Sequence, residues 1–176
     1  MLFRILAVNL VLLTAIWSQP VLHAAETATP KEAYQMVVKA SEVLENLGDE
    51  GLAAFNEMGE FAWKDSYVYV FDCSQFKMAA HPVNKLIGID LRKVWDKHKE
   101  KSKRKPHGVE LCNGSKNPNG NWVEYWWTKR GEKEPQRKLG FIIQVPGQPF
   151  QVTAAIYDDS TSVEELRRSI ATWGNE

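Results

Sequence analysis

Asn121-Trp122-Val123-Glu124-Tyr125-Trp126-Trp127 contains three of the seven tryptophans in this chain of 176 residues. Tryptophan and tyrosine favour β-strands, because they fit a pleated and half-buried surface. Successive side chains of a strand point to opposite faces, so this strand carries large aromatic side chains on both. One face holds Trp122, Glu124 and Trp126, and the other holds Val123, Tyr125 and Trp127. One face is expected to pack on a core, and the other either walls a pocket or lies under partly covered surface.

Shorter strand patterns lie on both sides of this segment. Runs rich in aromatic and apolar residues at 67–71 and 76–80 precede it, and runs at 139–145 and 150–157 follow it. Asp72-Cys73-Ser74-Gln75 and Pro146-Gly147-Gln148-Pro149 supply turn chemistry between them. His81-Pro82 ends the second strand, because proline has no N–H for the ladder. Strands joined by short loops pair antiparallel, which predicts a five-stranded antiparallel sheet.

Helical signals complete the prediction of the fold. Thr29-Pro30-Lys31-Glu32 is a capping box for a helix that Gly48 ends, and a short second helix is predicted at 49–58. A third helix is predicted from Asp90, and a second capping box, Ser162-Val163-Glu164-Glu165, opens a terminal helix. An antiparallel sheet with helices packed on one face is an α+β domain.

The charge balance narrows the class of partner. Lysine plus arginine and aspartate plus glutamate both number 22, so the chain is neutral, and we predict no nucleic-acid partner. The basic run Lys97-His98-Lys99-Glu100-Lys101-Ser102-Lys103-Arg104-Lys105 is interpreted as a solvated helix end and loop. Electrostatic contact with a membrane or a partner is the alternative for that run.

Motifs of known catalytic chemistry do not occur in the chain. We find no nucleophile elbow, phosphate loop or dinucleotide fingerprint, so neither an enzyme nor a cofactor is predicted. His98, His107, Glu110 and Cys112 are close in sequence and have side chains that ligate metals, but their spacing matches no strong zinc template. We therefore predict neither a metal site nor catalytic residues.

The first 25 residues have the pattern of a secretory signal peptide. Arg4 gives a positive start, an apolar stretch follows, and Leu22-His23-Ala24 or His23-Ala24-Ala25 supplies a small-residue cleavage site. The apolar stretch is about a dozen residues long, against the roughly 20 needed to span a bilayer, and an uncleaved anchor is the alternative. We predict an exported protein with one domain over residues 26–176.

Both cysteines, Cys73 and Cys112, lie in the exported part. An oxidising compartment favours a disulfide between them, and two buried free thiols are the alternative. A cross-link closing a loop of this size would stabilise the fold by about 3–4 kcal/mol in the chain-entropy model.

Hydrogen-bonding side chains recur along the predicted sheet. His81 ends one strand, Tyr69 lies on the strand before it, and Lys138 precedes another. Converging on one pocket, these groups would donate hydrogen bonds to a small carboxylate, while aromatic walls exclude water. The alternatives are a His81 that is bonded to its own turn and a solvated Lys138. The predicted ligand-binding residues are Tyr69, His81, Trp122, Tyr125, Trp127 and Lys138.

Residues 67–88, YVYVFDCSQFKMAAHPVNKLIG, resemble the core of the small single-Cache sensory domains. That family places a strand, an Asp turn and a second strand before motifs that appear here as Ala80-His81-Pro82 and Leu86-Ile87-Gly88. The aromatic strand is similar to the family's Gly-Trp-Val-x-Tyr-x-Trp pattern through Trp122, Val123, Tyr125 and Trp127. Residues 138–141 and 145–157 resemble its closing strands, so the resemblance covers about residues 33–158.

This resemblance implies a PAS-like fold with an extracytoplasmic pocket for small ligands, often short carboxylates. It also implies a role as the sensing part of chemoreceptors and histidine kinases. The chain departs from the family where Cys73-Ser74-Gln75-Phe76 replaces the glycine after the Asp turn, and where Asn121 separates Gly120 from Trp122. The cysteine at that turn suggests that a disulfide fixes the turn conformation that glycine provides in other members of the family.

We therefore expect a periplasmic Cache protein that binds a small organic anion for sensing. No second membrane span or output domain follows in the sequence, so we expect it to signal through a membrane receptor or histidine kinase. The alternative is a ligand-free interaction or dimerisation module of the cell envelope, which Trp126 or Phe141 plugging the cavity would indicate. The ligand's identity and the formation of a homodimer stay open at this point.

Overall fold

The structure, a computed structural model, describes residues 26–175. The predicted signal peptide at 1–25 lies outside the described residues. Within them the chain forms three α-helices and six β-strands, in the order α1 (Pro30–Leu47), β1 (Ala62–Trp63), β2 (Ser66–Asp72), β3 (Lys77–Ala80), α2 (His107–Gly114), β4 (Asn121–Thr128), β5 (Pro135–Gln144), β6 (Phe150–Tyr157) and α3 (Val163–Trp173). Short 3-10 helices occur at Gly48–Phe55, Asn84–Leu86, Leu91–Lys93 and Lys101–Lys103. No helix of this part of the chain has the length and apolarity needed to cross a bilayer.

The sheet is antiparallel, as the sequence predicts, with strand order β1-β2-β6-β5-β4 and β3 paired to β2. It has six strands rather than five, because the two-residue β1 adds to the edge of β2. Tyr125 of β4 pairs with Lys138 of β5, and Lys138 pairs with Tyr157 of β6. Paired residues project from the same face of a sheet. The register therefore places these three side chains next to one another.

The helices cover both faces of the sheet, which corrects the expectation that they pack on one. One face carries the larger core, where Trp122, Phe141 and Ile156 pack against α1 and α3. The other face carries a second buried cluster that includes Tyr69 and Tyr125, under α2 and the irregular chain before it. Alternation along each strand produces both sets, since neighbouring residues face opposite ways.

The capping box of α1 is confirmed, and α3 shows the N-cap bond of the second predicted box without the reciprocal bond from Glu165. The Thr29 hydroxyl accepts from the Glu32 backbone N–H at 3.2 Å, and the Glu32 carboxylate accepts from the Thr29 N–H at 2.8 Å. The Ser162 hydroxyl accepts from the Glu165 N–H at 3.1 Å at the start of α3. These bonds satisfy backbone donors that the first turn of a helix leaves without partners.

The helix predicted from Asp90 does not form. Asp90 instead makes a β-bridge to Lys77, and the Leu91 N–H donates to the Phe76 carbonyl at 2.8 Å. The backbone groups of this segment bond to the end of β3, so only the single 3-10 turn Leu91–Lys93 remains. The predicted second helix is likewise a 3-10 helix, Gly48–Phe55. The α-helix of this region, α2, begins later, at His107.

Gly120, immediately before β4, is a sensitive position. Its φ is +75°, and a Cβ added there would lie 2.4 Å from Ile143 Cγ2 and 2.8 Å from the Ile142 carbonyl oxygen. We expect Gly120→Ala to lower the unfolding free energy by roughly 2–5 kcal/mol, from left-handed strain plus overpacking. Gly131→Ala is the matched control, since its φ is +85° but open space surrounds it. Urea unfolding that shows equal losses for both variants would contradict this prediction.

Candidate ligand-binding site

A cavity of about 90 Å³ lies on the second face of the sheet, between the strands and the chain that covers them. We call the covering chain, residues 84–94 and α2, the roof. The floor and walls are aromatic and polar side chains of the strands and the strand ends: Tyr67, Tyr69, Phe71, Met78, His81, Tyr125, Trp127 and Lys138. The roof contributes mainly apolar groups: Leu86, Ile89, Leu91, Val94, His107 and Gly108. Among the described residues, the lining therefore contains bases and hydroxyls but no carboxylate.

Five of the six predicted ligand-binding residues meet at this cavity: Tyr69, His81, Tyr125, Trp127 and Lys138. Trp122 lies elsewhere. Its side chain is 0% exposed and packs on Phe141 with ring centroids 5.3 Å apart, in the core on the opposite face. Residues 122 and 125 are an odd number apart on one strand, so the pleat separates their side chains.

Lys138 is the most unusual group of the site. Its side chain is buried, with the residue 4% exposed, and its Nζ lies 4.7 Å from the Tyr157 ring centroid and 5.4 Å from that of Tyr67. No ion pair to Lys138 forms within residues 26–175. Burial lowers its pKa to about 8, and the negative charge of Asp65 opposes that change. At neutral pH this ammonium group is therefore mostly charged, desolvated and without a counter-ion from the described protein.

His81 is bonded to its own turn and also lines the cavity, so both of the arrangements considered from the sequence occur together. Its Nδ1 accepts a hydrogen bond from the Val83 N–H of its own turn at 2.8 Å. Burial, followed by the nearby charge of Lys138, lowers its pKa to about 4, so the ring is neutral at pH 7. A neutral imidazole that accepts through Nδ1 carries its proton on Nε2. His81 therefore has one N–H to donate, on a ring that lines the cavity and contacts Tyr67 and Tyr69.

His107 is a second cavity histidine that the sequence did not identify as a ligand-binding residue. Its ring stacks on Tyr125 with centroids 4.7 Å apart, and it contacts Trp127 at 4.9 Å. Its Nδ1 is buried and has no hydrogen-bond partner in the described part of the chain. Burial lowers its pKa to about 4, against the opposing charge of Asp96. No local signal marks His107, because it opens a helix that the sequence pattern does not predict.

The tyrosines of the site are hydrogen-bond donors at physiological pH. The hydroxyl oxygens of Tyr69 and Tyr125 lie 3.1 Å apart, so one donates to the other. Burial raises the pKa of both hydroxyls, and also those of Tyr67 and Tyr157. All four therefore stay protonated.

The predicted disulfide between Cys73 and Cys112 is confirmed. It joins the turn between β2 and β3 to α2, the helix that carries His107 over the cavity. In the same turn Phe76 has a φ of 52°, a conformation that favours glycine. The bonded Cys112 has no thiolate for a metal, and residues 26–175 contain no group of three or more ligating side chains that could hold one.

A second and wider cavity of about 510 Å³ adjoins the first and shares Tyr67, Trp127 and Lys138 with it. We call it the vestibule. Three further basic residues line it, Lys64, Lys129 and Arg130, together with Asp65, and Lys129 pairs with Asp65 at 2.6 Å. Basic groups thus outnumber acidic ones along the vestibule.

The unfolding free energy of the ligand-free protein is expected to fall as the pH drops from about 6.5 to about 4. The folded protein holds the pKa of His81 and of His107 at about 4, whereas an unfolded histidine titrates near 6.5. The unfolded chain therefore binds these protons first, which costs up to about 3 kcal/mol of stability per histidine. His107→Phe, which keeps a ring against Tyr125, should make the pH dependence shallower. Urea titrations across this range that show the same slope for both proteins would contradict the assignment.

Comparison with known proteins identifies the family. A sequence model of the Cache domain matches residues 36–162. The chain belongs to the Cache domain family. The match spans the chain from α1 through β6, including every strand and the roof of the cavity. The family that the motifs at 67–88 and 120–127 resemble is thereby confirmed. No curated protein sequence matches this Cache domain.

Solved structures share its fold. A periplasmic sensor domain of a chemotaxis protein is 23% identical, with a TM-score of 0.53 over 73% of this chain and 90% of that one. A Cache chemosensory domain described for carboxylic acid recognition is 20% identical, with a TM-score of 0.54 over 73% and 88%. A methyl-accepting chemotaxis protein from Vibrio parahaemolyticus is 19% identical, with a TM-score of 0.54 over 71% and 83%. At these identities the likeness shows the fold alone.

Proposed function

We propose that this Cache domain binds a short organic carboxylate in the 90 Å³ cavity and acts as an extracytoplasmic sensor. The observation that carries the proposal is Lys138, a buried ammonium group that lines the cavity without a carboxylate partner in the described protein. A buried charge is costly unless it is paired, so an anionic ligand would supply the missing counter-ion.

The other polar groups of the cavity suit the same ligand. His81 has its Nε2–H to donate, and the Tyr69–Tyr125 pair has one hydroxyl proton beyond its mutual hydrogen bond. Hydrogen bonds to an ionised acceptor are about twice as strong as those between neutral groups. Aromatic walls exclude water, which strengthens the attraction between the ligand and Lys138.

The size of the cavity selects short ligands. A volume of about 90 Å³ is far below the roughly 300–1,000 Å³ of cavities that hold drug-sized ligands. We expect carboxylates of roughly two to four carbons to fit best. The similar fold that has been described for carboxylic acid recognition supports this ligand class.

A thermal-shift series tests the proposal. Acetate, propionate, pyruvate and succinate are compared with acetamide and propionamide, which match the first two in size but carry no charge. Binding to the native state raises the melting temperature as ligand concentration exceeds Kd. We expect a concentration-dependent rise with at least one carboxylate and none with the amides. A flat response to every acid, or an equal response to acids and amides, would reject the proposal.

The affinity for the carboxylate should fall as the pH rises through about 8. Burial places the pKa of Lys138 there in the ligand-free protein, so above it the ammonium group loses the proton that the anion needs. The decline approaches about tenfold per pH unit if one proton is involved. Calorimetric titration on both sides of this pH measures it. Affinity that is independent of pH in this range would exclude Lys138 as the charged contact.

The alternative of a ligand-free module receives no support from the side chains that would plug the cavity. Phe141 lies in the core on the opposite face, and Trp126 contacts His98 with ring centroids 5.0 Å apart. Neither lines the cavity. As members of the family are ligand-binding signalling modules, we propose that this domain reports its ligand to a membrane receptor or histidine kinase. A periplasmic location and removal of residues 1–25 belong to the same proposal.

A further inference from the structure

Positive and negative charges of this neutral chain are separated in space. Eight of the fourteen residues at 92–105, which we call the basic loop, are lysine or arginine, against two acidic residues. Residues 26–60, which contain α1 and the 3-10 helix Gly48–Phe55, show the reverse, with eight acidic and two basic residues. α1 packs on β6 and β5 over the larger core, whereas the basic loop runs beside β4. The two regions therefore lie at different sides of the domain.

A buried carboxylate holds the basic loop in one conformation. The Asp96 carboxylate accepts from the backbone N–H groups of His98 and Lys105, each at 3.2 Å, and the Asp96 N–H donates to the Lys105 carbonyl at 2.9 Å. The Lys97 N–H donates to the Trp126 carbonyl at 2.8 Å, which attaches the loop to the outer edge of β4. Because these hydrogen bonds join the two ends of the loop, its charged side chains project from a fixed part of the protein surface.

Trp95 is exposed amid these charges. It is 53% exposed, and Lys93 and Lys97 flank it in the sequence. An exposed indole among cations is the composition that places a protein at a bilayer interface, where the ring enters the headgroup region and the cations meet anionic lipids. An acidic protein partner is the competing occupant, because exposed tryptophans also occur in protein interfaces, and the experiments below distinguish the two.

We propose that the basic loop docks the domain on the surface of a membrane that contains anionic phospholipid. Trp95 enters the headgroup region, and the acidic surface of α1 faces away, because the same negative potential repels it. Docking does not require the carboxylate ligand. It would place the roof beside the membrane, since Lys97 Nζ lies 4.4 Å from the centroid of the cavity residue Trp127 and the loop leads directly into α2.

Co-sedimentation with phospholipid vesicles tests the proposal. Protein that begins at Glu26 contains every described element and lacks the apolar N-terminal stretch, which would bind lipid by itself. We expect it to sediment with vesicles of about one-third phosphatidylglycerol at low salt and to stay in solution with pure phosphatidylcholine. Raising the salt should release it, because the Debye length shrinks from about 30 Å at 0.01 M to about 3 Å at 1 M.

Removing charge from the basic loop should weaken vesicle binding on the order of 100-fold, since each lysine near an anionic surface contributes roughly fivefold. The variant is Lys99→Gln/Lys101→Gln/Lys103→Gln, at three exposed positions. The matched control, Lys39→Gln/Lys116→Gln/Arg168→Gln, removes the same charge at exposed positions outside the basic loop and should keep most of the wild-type binding.

Trp95→Ser should weaken binding at every salt concentration, because it removes the apolar contact and leaves the charge unchanged. Equal losses in the two triple variants would overturn the proposal, and so would wild-type protein that stays in the supernatant at low salt. Capture by polyglutamate without capture by vesicles would also overturn it and would assign the loop to an acidic protein partner.

Discussion

Lys138→Met is expected to raise the stability of the ligand-free protein and to weaken carboxylate binding. Methionine is similar in length to lysine and suits the apolar surroundings. The substitution also removes a buried ammonium group that no described carboxylate neutralises. The gain in unfolding free energy can reach about 3 kcal/mol, the equivalent of a pKa lowered from 10.5 to about 8. Removing the buried charged partner of a bound ion reduces the binding free energy by roughly 2–5 kcal/mol. The affinity for the carboxylate should therefore be at least about 30-fold weaker.

Urea unfolding without ligand and calorimetric titration with the best carboxylate measure these two effects separately. Lys77→Met is the matched control, since Lys77 is exposed on β3 and loses the same charge without altering the cavity. His81→Ala provides a second test of the same site. If Lys138→Met and His81→Ala both keep the full ligand-induced rise in melting temperature, the carboxylate does not bind in this cavity.

Removal of the disulfide is expected to cost the fold about 4 kcal/mol. Cys73 and Cys112 are 39 residues apart, and cross-linking a loop of this length restricts the unfolded chain by that amount in the chain-entropy model. Cys73→Ala/Cys112→Ala should therefore shift the urea midpoint strongly downward. Ligand affinity should fall as well, because α2 carries His107 against Tyr125 and is no longer tied to the turn between β2 and β3.

Reduction of the wild-type protein is the companion experiment, since it opens the same bond without changing the sequence. The reduced protein should unfold at nearly the same urea concentration as the double variant. Gly131→Ala, far from α2, can serve as a destabilised control with an intact roof and should keep its ligand affinity. An unchanged midpoint after reduction would show that the cross-link adds nothing to stability.

The aromatic strand shows how far sequence reasoning reaches at the site. Strand alternation separates Trp122 from Tyr125 and Trp127 before any coordinates are known. It does not reveal which face borders a cavity, because both faces carry large aromatic side chains. The sequence therefore predicts Trp122 as part of the ligand-binding set, and only its packing on Phe141 under α1 and α3 assigns it to the core.

The roof was the least predictable part of the fold. Apolar residues from Leu91 to Trp95 have a spacing compatible with a helix, yet the backbone there bonds to β3. α2 contains Gly108 and Gly114, residues of poor helix propensity, and follows Pro106. Gly108 is required by packing, since a Cβ there would lie 2.5 Å from the Leu91 carbonyl oxygen. Tertiary contact therefore overrides local preference in this region, and His107 was missed with it.

The sequence by itself determined the elements whose signals are local. Capping boxes, strand alternation, turn residues and the ordered motifs of the Cache family identify the terminal helices, five of the strands and the fold class. These signals act over a few residues, and the physical rules behind them need no distant partner.

The tertiary structure alone decided that Lys138 is a buried, cavity-lining group. Lys138 follows a polar loop in the sequence and resembles a solvated lysine there. The β4–β5–β6 register places it between Tyr125 and Tyr157, and the roof then removes it from water. Its burial, and the lack of an ion pair to it within residues 26–175, depend on residues far apart in the chain, which meet only when the sheet and its two cores have formed.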